Sequence, residues 1–120
     1  MTLREYTFWK QQIYAALGDI ADPTYQHRVW LGTGSEVDSF SETYCRLYDD
    51  AFFPKFLTWE QHMGMSPASL QELQTLDRQI KAYAEPDTEA AILADPEWQA
   101  IVRQAQLILH LDAATESQST

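Results

Sequence analysis

Base is what this chain has least of. Lys and Arg total 8 against 18 Asp and Glu, a formal net charge of −10, so phosphate backbones and anionic lipid headgroups meet a repulsive field. Nucleic acid and membrane surfaces are therefore poor partners. The same field speeds encounter with a basic protein, besides keeping the chain soluble. Cysteine is nearly as scarce: Cys45 is alone, which excludes an intrachain disulfide and a stapled secreted scaffold and fits a reducing cytoplasm. Long apolar runs are missing too. No stretch approaches the ~18 consecutive apolar residues of a membrane span, and MTLREYTFWKQQIY lacks the apolar region and cleavage site of an export signal. The histidines His27, His62 and His110 fall in separate segments without HxxxH, HxE or CxxC spacing. There is thus no local frame for zinc, and no metal or cofactor is expected. The pair of glycines in Gly32-Thr33-Gly34-Ser35 fits neither GxxxxGKS/T nor GxGxxG and follows no strand, so it is read as a loop, not a phosphate cradle.

What is present suffices for one core. With 120 residues at 45% hydrophobic content, the expectation is a single all-α domain over 1–113, with a polar, disordered tail over 114–120. Thr2 and Glu5 have capping-box spacing, and Tyr6, Trp9, Ile13, Ala16, Leu17 and Ile20 recur along one face, which predicts a first helix from about Leu3 to Ala21. Gly18 weakens its last turn, and Asp22-Pro23 ends it while opening a second, Pro23 to Leu31, closed by a left-handed Gly32. Ser39 and Glu42 form a second box for a helix over Ser39 to Phe52, with Phe40, Tyr44, Leu47, Tyr48, Ala51 and Phe52 inward and Glu42, Arg46, Asp49 and Asp50 in water. Phe56 to Met65 alternates, so a short strand is possible, but a lone strand has no partner for its amides and a covering loop is the expectation. Ser66-Pro67 opens a helix to about Ala84, with Asp77 and Lys81 paired on its surface. Thr88 to Ala94 reads as one or two turns, and Asp95-Pro96 opens the last helix. Helix starts near Leu3, Pro23, Ser39, Pro67 and Pro96 thus define a bundle of about five, whose core includes Trp9, Tyr44, Leu47, Leu73, Ile80, Trp98 and Ile101.

No catalytic motif accompanies this frame. Cys45 has Asp49 four residues on, which hinders thiolate formation, and is read as a partly buried structural thiol. Asp49 and Asp50 are adjacent, so they point about 100° apart on a helix and do not share a proton site. They also sit in the last turn, where negative charge opposes the helix dipole. Trp9, Trp30, Trp59 and Trp98 read as core, because stacking platforms for single strands come with a basic groove that is missing here.

The frames DPTYQHRVW at Asp22 to Trp30, DSFSETYCRLYDD at Asp38 to Asp50 and LADPEWQAIVRQA at Leu93 to Ala105 resemble a family of small acidic helical bacterial proteins similar to immunity proteins of contact-dependent growth inhibition. The resemblance implies a non-enzymatic cytoplasmic protein that binds and neutralises a cognate toxin domain, commonly a basic nuclease, by covering its active site. The implied toxin-binding residues are the acids Glu36, Asp38, Glu42, Asp49 and Asp50, with Glu85, Asp87 and Glu89 behind them and Tyr48 or Phe53 as buried anchor. Asp22, Asp38 and Asp95 are also candidates for helix caps. The aromatic connection AFFPKFLTWEQHMG is longer than this family frame leads one to expect. A helical scaffold or oligomerisation subunit, which would expose an apolar patch, is the alternative, ahead of a small enzyme with a carboxylate site. The oligomeric state is not legible.

Overall fold

Side-chain caps fix where the helices begin. In a computed structural model of the chain, residues 1–32 and 37–118 are described, with side chains described as far as Ala113. Helix α1 spans Leu3–Ile20, and the Thr2 hydroxyl accepts from the Glu5 amide at 3.1 Å. Helix α2 spans Pro23–Val29 behind Asp22, whose carboxylate accepts from the Tyr25 amide at 3.0 Å. Gly32 closes it at φ +72, a left-handed conformation that suits glycine. Helix α3, Phe40–Cys45, opens on Ser39, which accepts from the Glu42 amide at 3.1 Å. Helix α4 is Phe53–Leu57. Helix α5, Pro67–Ala82, starts at Ser66, helix α6, Glu89–Leu93, at Thr88, and helix α7, Pro96–Gln118, at Asp95, whose carboxylate accepts from the Glu97 amide. Each supplies an acceptor to amides that the first turn leaves without a partner.

The described residues are all-α, without a strand, and none of their helices is long and apolar enough to cross a membrane. Two segments differ from the reading above. Of the connection expected to be irregular or extended over 54–65, residues 54–57 are instead helical, with Pro54 presetting the first turn and Phe53, Phe56 and Leu57 buried at helical spacing, while 58–65 is irregular, as expected. Over so few residues a helical period and an alternation cannot be told apart. The helix expected over Ser39 to Phe52 also changes character midway. After Cys45 it widens into a π-turn over Arg46–Asp50, closed by the Ala51 amide donating to the Arg46 carbonyl at 3.0 Å. That change of winding re-aims the later side chains. Phe40, Thr43, Leu47 and Ala51 face the core, whereas Tyr44 is 40% and Phe52 58% exposed.

The core lies between α1, α5 and α7, with the π-turn packed on α1 and α4, and α6 bridging α2 and α7. Leu47, Leu73, Ile80, Trp98 and Ile101 are buried as expected, and Trp9 is half-buried. Gln26, fully buried, solves a local problem: its amide donates to the Asp19 and Ile20 carbonyls at 2.8 Å each and accepts from Trp98 Nε1 at 3.1 Å. It thereby satisfies carbonyls at the end of α1 that the helix cannot. Beyond Ala113 the helical backbone continues through 118, over most of the segment read as a disordered tail, and 119–120 lie outside the described residues.

Candidate protein-binding surface

Internal pairing decides which acids remain available. Asp38 is 7% exposed. It accepts from Arg46 at 2.6 and 3.1 Å, from the Tyr25 hydroxyl at 2.7 Å and from the Ser39 amide at 2.8 Å. Desolvation pushes this carboxyl up, but the hydrogen bonds outweigh it and hold Asp38 below the ordinary carboxylate value. Donating to Asp38 pushes the Tyr25 hydroxyl up to about 12, with burial adding to the shift. Arg46 also reaches Asp19 at 3.3 Å and the Thr43 hydroxyl at 3.0 Å. Asp38 is therefore an internal counter-ion and not a residue a partner can reach, which corrects its place in the expected interface. The same geometry pairs the only base of the 36–50 stretch, whose side chain stays 38% exposed.

Phe53 is a second correction. It is 0% exposed, lying edge-on to Tyr48 at 5.7 Å, and cannot anchor a partner. Tyr48 is half-buried, its hydroxyl donating to Asp77 at 2.8 Å, and burial together with that bond pushes its pKa far up. Asp77, expected on the surface, is largely buried while still paired with Lys81 at 3.0 Å. Glu89 is half-buried and accepts from the Phe40 amide at 3.1 Å. That bond carries the second acidic stretch to the start of α3, 49 residues away in sequence. Glu42, Asp49, Asp50, Glu85 and Asp87 are exposed. Glu36 and the Thr33-Gly34-Ser35 loop lie outside the described residues.

The two stretches meet along a groove of about 380 Å³ between α3 and the end of α5, lined by Phe40, Tyr44, Cys45, Lys81, Tyr83 and Glu85 among others. Its floor is aromatic: Phe40 lies 5.3 Å from Trp98 and 6.0 Å from Tyr83, and Tyr44 stacks on Tyr48 at 4.5 Å. Tyr44, read from the sequence as core, is thus surface. Cys45 is exposed as well, not partly buried. Its thiol is pushed up by donating to Asp49, with Asp50 and Glu42 adding to the effect, so it is a poor nucleophile.

Asp50 faces elsewhere. It lines a second groove, of about 360 Å³, between α1 and α4, with Met1, Phe8, Trp9, Phe52, Lys55 and Trp59. The sequence reading missed this surface. The available signal was Phe8, an aromatic that falls off the apolar stripe of α1 and stands 62% exposed. Among the described residues no group of three or more His, Cys, Asp or Glu is placed to hold a metal ion.

Comparison with curated proteins and with solved structures found no match. Residues 4–119 match a family model, and the chain accordingly belongs to the family described as a domain of unknown function, DUF7945.

Proposed function

We propose that this protein binds and neutralises a basic protein domain, as the toxin-immunity proteins resembled by its sequence frames do, through the acid-rimmed groove between α3 and the end of α5. The observation that carries this reading is the junction of two separate acidic stretches around exposed aromatic carbon, with Arg46 withdrawn into an ion pair with Asp38. Glu42, Asp49, Glu85 and Asp87 then present four exposed acids against one base in the groove lining, Lys81, which is paired with Asp77 at 3.0 Å. Such a rim steers a cationic surface into encounter, and Tyr44, stacked on Tyr48, takes the anchor role that Phe53 cannot. A standard interface of about 20–30 residues per side would extend past the groove over α6 and the π-turn. The protein acts by occupancy and not by turnover. The shifted groups Tyr25, Asp38, Arg46, Tyr48 and Tyr83 are each accounted for by internal burial and pairing.

The test is the triple replacement Glu42→Ala, Asp49→Ala and Glu85→Ala, with helicity checked and binding measured against the C-terminal domain of whichever toxin a neighbouring gene encodes. Association should slow about tenfold or more at low salt and the difference should shrink as salt rises. Tyr44→Ala should instead speed dissociation, costing about 1–2 kcal/mol. Unchanged kinetics in both variants, with full protection of cells, would make this face ordinary solvated surface.

A further inference from the structure

Residues 58–65 run without regular structure from the end of α4 to the start of α5. Trp59 packs edge-on against Trp9 at 5.4 Å, and Met63 and Met65 rest half-buried on the core. Apolar packing of this kind is non-directional and does not by itself fix a backbone. Among the described residues, the hydrogen bonds that tie 60–65 to another element converge on one group, the Tyr6 hydroxyl of α1. His62 Nδ1 lies 2.7 Å from it, and the Met63 amide donates to it. The His62 ring stands edge-on to Tyr6 at 5.7 Å and to Phe56 at 4.9 Å, and its Nε2 is buried without a hydrogen-bond partner of good geometry. A neutral ring can accept the Tyr6 proton at Nδ1, whereas in the cation both nitrogens are donors. The cation would therefore point Nδ1–H at an oxygen that the Met63 amide already occupies. It would also strand the phenol proton, on a residue only 1% exposed, and leave a charged Nε2–H without an acceptor.

We propose that residues 58–65 form a strap that the neutral imidazole of His62 latches onto α1 and that protonation of this ring releases. The charged groups around the latch do not rescue the cation. Asp112 of α7 acts on Tyr6 but is paired with Lys10 of α1 at 3.7 Å; Lys55 of α4 lines the groove on the other side of that helix, and Glu60 of the strap itself is exposed. Desolvation holds His62 below the ordinary 6.5, and the Phe56 carbonyl opposes only part of that shift. The closed strap thus binds a proton less readily than the open one, so closure is complete above 6.5 and is lost as pH falls through the closed-state value. Release is local, because α1, α5 and α7 are packed on one another directly. It lifts Trp59 from Trp9 and so removes one wall of the groove between α1 and α4, leaving the acidic groove untouched. The strap is independent of the toxin-binding reading.

Two-dimensional NMR of the full chain, titrated from about pH 7.5 to 5 across the ordinary histidine range, tests this. The Trp9–Trp59 cross-peaks should weaken and exchange of the Met63 amide, corrected for its intrinsic pH dependence, should quicken about threefold or more, with the midpoint of the His62 ring signals. Amides of α1, α5 and α7 should keep their protection. His62→Gln, which retains an acceptor for Tyr6 and does not titrate, should hold the cross-peaks at both ends of the range. Tyr6→Phe, which removes the latch oxygen without opening a cavity, should weaken them at both ends and move the His62 midpoint up. Cross-peaks indifferent to pH, a loss of protection shared equally by the helices, or the same pH response in His62→Gln would overturn the proposal.

Discussion

Both grooves open from the same short segment, yet they rest on separate aromatic clusters and take different side chains of that segment. On one side of residues 40–52 lies aromatic carbon lined by Glu85 and Lys81, with Glu42 and Asp49 exposed on α3 and the π-turn; on the other, aromatic carbon lined by Asp50 and Lys55. The acidic groove rests on Trp98, Phe40 and Tyr83, and the apolar one on Trp9, Phe56 and Trp59. What separates them is the π-turn, which directs Asp50 to one groove while Asp49 stays beside Cys45 at the other. The composition of the stretch is the same whichever way it winds. Winding decides which groove each of the two adjacent acids lies beside.

The comparison is broken most severely by removing the floor of the acidic side. Trp98→Ala should cost about 3–5 kcal/mol in urea denaturation, since the ring is 2% exposed and also donates to Gln26. It should loosen Phe40 and Tyr83 while leaving the Trp9–Phe56–Trp59 cluster packed. A loss below about 1 kcal/mol would show that the ring is not a core element.

A smaller effect is expected from the ion pair beneath that groove. Asp38→Ala should cost about 1–3 kcal/mol, discounted because Arg46 is partly exposed and retains Asp19. Adding Arg46→Met should recover part of the loss, because the stranded cation leaves with it. If the double variant is as unstable as the sum of the singles, the two residues do not act as a pair.

The mildest contrast is in pH. On the apolar side His62 accepts or donates at Nδ1 with the Tyr6 hydroxyl at 2.7 Å and packs on Phe56 at 4.9 Å, and desolvation holds its pKa below 6.5. A depressed pKa means that the folded state holds the proton less readily than the unfolded one. His62 therefore contributes stability fully above 6.5 and loses it as pH falls from 6.5 through its folded value. Asp38 obeys the same sign in a lower window, its contribution present above 3.8 and lost below it, while Asp19, raised by desolvation, acts in the opposite sense. His62→Gln should flatten the decline that begins near 6.5, and Asp38→Asn the one that begins near 3.8. Urea midpoints followed from pH 8 to about 2, a range that covers the onset of both declines, check this. Identical slopes in wild type and variants would remove the titrating groups from the account.

Much of this molecule was set locally and could be read residue by residue. Thr2, Asp22, Ser39, Ser66, Thr88 and Asp95 each cap the helix that their spacing announces. Capping is a contact between residues two or three apart, so it is written in the order of the chain. The stripes of α1, α5 and α7 were legible for the same reason, period being a local property.

Tertiary structure alone decided which side of Phe40 to Phe53 meets solvent. Nothing within RLYDD marks a π-turn; it is closed by a backbone hydrogen bond, and the Trp9 indole, 42 residues away, holds the Ala51 carbonyl that follows. Asp38 and Phe53 were drawn inward, and Tyr44 and Phe52 turned outward. Their burial depends on partners from α1, α2 and α5 that no short-range pattern identifies. A sequence determines what a helix has to bury; packing determines what it leaves out, because the surplus can be counted only when the opposing faces are in place.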